Sequence, residues 1–116
     1  MKVNIEKLLK TVPVTRINQI VDNEVYTLLE KFNMCGSIKV KPVYWIMKKA
    51  IESGELTKDK IVLEASSWNT AISIAYLANL FDFKVNLIVP ASTASCKKKL
   101  IKSYWAELIE LDGVTD

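Results

Sequence analysis

The fold is decided by residues 61–89, which read IVLEASSWNTAISIAYLANLFDFKVNLIV. Two short apolar runs, Ile61 to Ala65 and Val85 to Val89, flank a segment with helical character from about Asn69 to Phe81. Nearly continuous apolar strands are typical of a parallel sheet whose strands are buried on both faces. The segment therefore predicts a strand, a helix and a second strand in succession.

The sequence that follows and precedes this segment extends the alternation. A helix from Ser95 to Ser103 and a strand from Glu107 to Leu111 come next, and a helix from Pro42 to Ser53 comes before. Pro42 suits a first helical turn, and Gly54 ends the pattern. Strands that alternate with helices predict an α/β fold, a parallel sheet with helices on both faces, in which the strands at 61–65, 85–89 and 107–111 are neighbours.

The first forty residues predict smaller elements. We expect a short helix near Asn4 to Lys10 and strands at Val12 to Ile17 and Glu24 to Lys31. The chain has 116 residues, of which half are hydrophobic and about a quarter charged, as in an ordinary globular protein. Residues 1–116 are thus expected to form a single domain.

The amino-acid composition excludes several kinds of catalytic and metal site. The chain has no histidine, so it cannot build a Ser-His-Asp triad, a Cys-His pair or a histidine-ligated zinc site. Cys35 and Cys96 form no C-x-x-C, so neither a metal site nor a disulfide is expected, and a reducing cytoplasm is the default location. No signal peptide or membrane span is expected either.

Charge gives no indication of a nucleic-acid or membrane partner. The net charge of +3 arises from 16 basic and 13 acidic residues mixed along the chain. The run from Lys97 to Lys99, with Lys102, is expected to be the solvated face of one helix, since no aromatic residues interleave with it as in a single-strand binding surface.

Two loops precede helices at positions where α/β proteins bind ligands, the carboxyl ends of strands. The first runs from Phe32 to Lys39, and the second from Glu64 to Thr70. Hydroxyl and backbone N–H groups at a helix N-terminus bind anions such as carboxylates, and a desolvated lysine nearby can act as a Schiff-base nucleophile. Spacing alone leaves the plainer alternatives open, namely that Lys39 is a solvated lysine and that the Ser-Ser and Asn-Thr pairs are helix N-caps.

Both loops resemble motifs of the β-family of pyridoxal-phosphate enzymes, the cysteine synthase and cystathionine β-synthase type. The run Glu30-Lys31-Phe32-Asn33 followed by Gly36-Ser37-Ile38-Lys39 is similar to the cofactor-lysine motif, and Glu64-Ala65-Ser66-Ser67-Trp68-Asn69-Thr70-Ala71 is similar to the substrate-carboxylate loop. Residues 12–18 resemble the first strand of the family and residues 100–108 its mobile subdomain, so the resemblance spans nearly the whole chain. The Asn-Thr pair favours the cysteine synthase branch over the threonine dehydratase branch.

The resemblance implies a role for each motif residue. Lys39 would be the catalytic lysine that binds pyridoxal phosphate and later carries the α-proton, and Asn69 would hydrogen-bond to the ring hydroxyl of the cofactor. Ser66, Ser67, Asn69 and Thr70 would bind the carboxylate of an amino-acid substrate. The implied reaction is a β-replacement of cysteine biosynthesis, a transferase or lyase activity without a metal, in which a thiol or sulfide replaces the β-substituent of serine or an O-acylated serine.

The sequence also departs from the family pattern. Family members are more than twice this length, and their remaining part carries the glycine-rich loop that binds the cofactor phosphate. The acid and arginine that usually follow the lysine are Val40 and Lys41, and family glycines are replaced at four positions, namely Trp68, Ala71, Asp82 and Trp105.

These departures leave two hypotheses. In the first, the chain is a split or shortened enzyme that supplies Lys39 and the carboxylate loop, while another chain completes the site. In the second, it is a degenerate, non-catalytic homologue that acts as a binding or regulatory protein. Under either, we expect the isolated chain to bind the cofactor weakly and to bury its exposed sheet against another copy or a partner chain.

Overall fold

The computed structural model describes residues 4–17, 23–66 and 68–113. Along the chain, the helices and strands are α1 (Ile5–Lys10), β1 (Val14–Ile17), β2 (Val25–Leu28), a short 3-10 helix (Glu30–Phe32), α2 (Val40–Glu52), β3 (Ile61–Ala65), α3 (Asn69–Leu80), β4 (Lys84–Pro90), α4 (Ser95–Ser103) and β5 (Glu107–Leu111).

The last three strands form a parallel sheet in the order β3-β4-β5. Val62 lies opposite Val85, and Leu87 lies opposite Leu108. The helices α3 and α4 connect successive strands and pack on the same side of the sheet. The predicted α/β class and the three parallel neighbours are therefore confirmed.

One face of the sheet forms the core. On β4, Val85, Leu87 and Val89 are almost completely buried beneath the helices. The helix α3 is buried on most of its surface because Ala71 and Ala75, both fully buried, let it lie between α2 and the sheet. A helix enclosed in this way has little need of a polar face, which explains why its sequence is apolar nearly all round.

The opposite face of the sheet is open among the described residues. Ile61 and Leu63 on β3 are 52% and 62% exposed, and Ile109 and Leu111 on β5 are also exposed. Because side chains alternate along a strand, these residues share the face that points away from the helices. The sequence predicted helices on both faces, and within residues 4–17, 23–66 and 68–113 they cover one.

The early elements are shorter than the sequence predicted. The strands β1 and β2 form a separate antiparallel hairpin, and β2 stops before Leu29 because the chain turns into the 3-10 helix.

The helix α2 begins at Val40 rather than Pro42. Pro42 is the third residue of this helix, where a missing N–H breaks no hydrogen bond because the first four N–H groups have no partner within a helix.

Two residues other than glycine adopt left-handed backbone conformations. Asp82 has a φ of 58° and Trp105 a φ of 63°, and each lies just after a helix, at the amino end of the next strand. A left-handed conformation is the one that glycine adopts most readily, which agrees with the glycines that the resemblance implies at both positions.

Among the described residues, no helix combines the length and apolar character that crossing a bilayer requires.

Candidate active site

Lys39 lies at the end of a tight loop that leads into α2. Gly36 has a φ of +69°, which suits glycine, and its N–H donates to the Asn33 carbonyl at 2.8 Å. The hydroxyl oxygen of Ser37 accepts a hydrogen bond from the Lys39 backbone N–H at 3.2 Å. The next residue, Val40, is fully buried. Lys39 is therefore anchored through its backbone while its side chain is exposed and contacts no hydrogen-bond or ion-pair partner among the described residues.

The second loop follows the carboxyl end of β3. The Ser66 N–H donates to the Ile88 carbonyl at 3.1 Å, which continues the pairing with β4. Trp68 is the residue before α3, and its side chain makes no capping hydrogen bond. Asn69 and Thr70 lie inside the first turn of α3, so N-capping does not account for them. Ser67 lies outside the described residues.

The Lys39 loop lies against α3 at a buried serine one turn after Asn69. The Ser73 hydroxyl, fully buried, donates to the Asn69 carbonyl at 2.8 Å. Burial raises the pKa of the Cys35 thiol to about 11, and the neighbouring Ser73 hydroxyl partly offsets this rise. Cys35 lies four residues before Lys39, so the loop that carries Lys39 packs on α3 one turn from Asn69.

Further contacts place the same loop against the same helix. The Tyr76 hydroxyl lies 3.7 Å from the Met34 sulfur. Val40 and Ala71, which follow Lys39 and Thr70 respectively, belong to one buried cluster. The cysteine, methionine and serine in these contacts gave no functional signal in the sequence, because each is a common core residue.

An ion pair joins the two ends of the Lys39 loop. The Lys41 ammonium lies 2.8 Å from a Glu30 carboxylate oxygen. The Asn33 side-chain amide donates to the Glu30 carbonyl at 3.0 Å and also to the Glu30 carboxylate. The hydrogen bond from Lys41 holds the pKa of the Glu30 carboxyl below its usual value. The opposite charges on either side of the loop were visible in the sequence, but nothing there showed that they meet.

Trp68 does not distort the carboxylate loop. Its φ of −117° and ψ of −150° are extended values that any residue adopts. The indole is 57% exposed, and the Lys97 ammonium lies 2.9 Å from its ring centroid. Trp68 therefore fits the position where the resemblance implies a glycine without backbone strain, and its side chain contacts Lys97 in the first turn of α4.

The lysines of α4 are only partly a solvated face. Lys98 pairs with Glu110 on β5 at 2.7 Å and donates to the Ala91 carbonyl at 2.6 Å. The prediction that these lysines form a solvated face is therefore correct for Lys99 and Lys102, which are exposed. It is wrong for Lys98 and for Lys97, which lies over the Trp68 ring.

Comparisons with known proteins agree with the fold and motifs. Residues 6–116 match the family described as pyridoxal-phosphate dependent enzyme. A cysteine synthase from Aquifex aeolicus is 32% identical over 112 residues, which cover 91% of this chain and 34% of the relative. A cysteine synthase from Flavobacterium is 34% identical over 99 residues, which cover 84% of this chain and 32% of the relative. The chain therefore spans about a third of the length of these curated relatives.

Solved structures show the same similarity. A hydrogen sulfide-producing enzyme from Fusobacterium nucleatum superposes with a TM-score of 0.88 at 28% sequence identity, over 97% of this chain and 38% of that one. A cysteine synthase from Entamoeba histolytica superposes with a TM-score of 0.88 at 24% identity, over 97% of this chain and 36% of that one, and supports the fold. The family match over nearly the whole length, together with these relatives, shows that the chain belongs to the pyridoxal-phosphate dependent enzymes.

Proposed function

We propose that this chain supplies the lysine and the carboxylate-binding loop of a cysteine-synthase-like site for β-replacement on an amino acid. The observation that carries the proposal is the packing of the loop bearing Lys39 on α3, where Met34 lies against Tyr76, and Val40 and Ala71 share one buried cluster. The curated relatives with this segment are cysteine synthases. About two thirds of each relative has no counterpart in these residues, so the complete reaction depends on groups outside them.

The residues present fit part of a pyridoxal-phosphate site. The exposed Lys39 amine has no competing partner among the described residues, so it is available to bind the cofactor aldehyde. Asn69, in the first turn of α3, offers an amide for the ring hydroxyl. When bound, the cofactor supplies an electron sink for the charge that develops at the substrate α-carbon.

Substrate binding falls to the start of α3 and the loop before it. A helix N-terminus provides unpaired N–H groups and a favourable dipole for an anion. Ser66 and Thr70 add hydroxyl donors for the substrate carboxylate, and Ser67 would add another. Lys39 would remove the α-proton and return it. A carboxylate fixed at one end and a base near the other would orient the α-carbon for that transfer.

A second candidate function is that of a non-catalytic binding or regulatory homologue. The observation in its favour is Trp68, whose indole occupies the carboxylate loop where the resembled family has glycine and lies against Lys97. An indole at this position reduces the space beside the first turn of α3. The fold would then be retained for contacts with a partner rather than for turnover.

A near-visible absorbance titration with pyridoxal phosphate separates these candidates. We expect a weak absorbance band that is lost in Lys39→Ala and kept in Lys49→Ala, a matched control at an exposed lysine within α2. A band that develops only in Trp68→Gly would favour the binding homologue, because it would show that the indole closes the site. No preference for Lys39 in either background would refute the proposed cofactor role.

A further inference from the structure

The loop that presents Lys39 is closed at its base by three polar side chains. Glu30 lies in the 3-10 helix before the loop, and Lys41 lies in the first turn of α2 after it. Their side chains are only 23% and 24% exposed and meet at 2.8 Å. The Asn33 amide, also nearly buried, donates to Glu30 from inside the loop. We call Glu30, Asn33 and Lys41 the loop clasp.

We propose that the loop clasp positions Lys39 for reaction with the cofactor. An α-helix turns about 100° per residue, so the side chains of Lys39 and Lys41 leave α2 in widely different directions. Holding Lys41 on Glu30 therefore fixes the rotation of the first turn and, with it, the direction in which Lys39 extends. Lys41 never needs to touch the cofactor to act in this way.

The loop has few internal constraints, so closing its base should affect its conformation. The loop depends on a left-handed Gly36, and between Met34 and Lys39 the described N–H groups that donate a hydrogen bond are those of Gly36 and Lys39. Glycine has more conformational freedom to lose than any other residue, so such a loop opens readily unless its ends are tied. Two contacts to one carboxylate, from Lys41 and Asn33, tie them.

A second ion pair on α2 provides a matched control. Lys48 pairs with Glu6 of α1, and the two side chains are 32% and 34% exposed. This pair joins the same helix to a different element and lies away from the Lys39 loop in sequence. Lys48→Met therefore removes a comparable ion pair without touching the clasp, and Lys41→Arg retains a cation able to reach Glu30.

The first readout is amide hydrogen exchange, which requires no cofactor. We expect exchange at the Gly36 and Lys39 amides to rise about fivefold or more in Lys41→Met, since partly exposed ion pairs and charged hydrogen bonds contribute on this scale. Lys48→Met should leave both amides near their wild-type rates, and Lys41→Arg should restore protection. Equal changes in Lys41→Met and Lys48→Met would overturn the clasp.

The second readout is the site of pyridoxyl labelling after pyridoxal phosphate and borohydride treatment, with Lys49 as an internal reference. This readout rests on the proposed function. We expect the ratio of Lys39 to Lys49 labelling to exceed one in the wild type, to fall towards one in Lys41→Met and to recover in Lys41→Arg. A wild-type ratio near one would refute the proposed function, and hydrogen exchange would still show whether the clasp closes the loop. A high wild-type ratio that is unchanged in Lys41→Met would refute the proposal that the clasp positions Lys39.

Discussion

Replacing Trp105 with glycine should make the protein more stable than replacing it with alanine. Trp105 has a φ of 63°, in the left-handed region, and its side chain is 86% exposed. Adding a side chain to a left-handed residue costs about 1–2 kcal/mol. Glycine is free of that penalty, so it should relieve strain that alanine retains.

The magnitude follows from three contributions. About one seventh of an indole surface of roughly 250 Å² is buried, which at about 25 cal/mol/Å² gives less than about 1 kcal/mol lost in either variant. Strain relief of about 1–2 kcal/mol favours glycine, and its extra freedom in the unfolded chain offsets about 0.5–1 kcal/mol. The free energy of unfolding of Trp105→Gly should therefore exceed that of Trp105→Ala by about 0.75 kcal/mol, the middle of a range of about 0–1.5 kcal/mol.

Urea unfolding followed by far-ultraviolet circular dichroism measures this difference without relying on tryptophan fluorescence. A slope of about 2 kcal/mol per M converts it to a midpoint shift of about 0.3–0.5 M. Lys99 on α4 is the control position, because it is exposed within a helix and glycine there should be less stable than alanine by about 1 kcal/mol. If Trp105→Gly were no more stable than Trp105→Ala, the strain argument would be refuted.

Three further outcomes are expected. Leu87→Ala should destabilise the protein by about 2–5 kcal/mol in the same assay, because Leu87 is fully buried at the centre of the sheet, and a smaller loss would mean that the core is loosely packed there. In thiol titration with an aromatic disulfide near pH 8, Cys96 should react fast because it is exposed. Cys35 should react far more slowly in the folded protein because partial burial raises its pKa to about 11, and a Cys35→Ser variant that loses the fast phase would contradict this. The hydrogen bond from Lys98 lowers the pKa of Glu110, so this carboxylate should stabilise the fold above its unfolded pKa near 4.5 and lose that effect as the pH falls through its folded pKa. Glu110→Gln should therefore flatten the acid side of a plot of stability against pH. An unchanged plot would show that the Lys98–Glu110 pair contributes nothing.

The central part of the fold was predictable because its sequence pattern is local. Strands such as Ile61–Ala65 and Glu107–Leu111 were predicted with their observed bounds, since apolar runs between turn residues specify them directly. The hairpin of β1 and β2 was less predictable because its strands are mostly exposed and lack a strong apolar pattern. The start of α2 was missed because Pro42 suits several positions of a first turn.

The candidate site was predictable by motif and not by contact. Lys39 and the carboxylate loop stood out through resemblance, which indicates which residues matter but not how they are held. The contact between Tyr76 and Met34 joins residues 42 positions apart, and no periodicity predicts such a pair. The Glu30–Lys41 pair spans a loop whose path depends on the left-handed Gly36, so the sequence showed two charges without showing that they meet.

The four replacements of family glycines differ in what they affect. Asp82 and Trp105 have left-handed backbones and lie at the amino ends of β4 and β5. Ser66 follows the carboxyl end of β3, so it lies at the opposite end of the parallel strands. The strain at Asp82 and Trp105 therefore lowers stability without reaching the candidate site. Ala71 lies inside α3, where alanine is the better helix former. Only Trp68 lies in the carboxylate loop, and its extended backbone is unstrained. Of these four replacements, Trp68 is therefore the one that can alter the candidate site, and it does so through its indole. The cofactor titration of Trp68→Gly tests that effect, while the stability of Trp105→Gly does not.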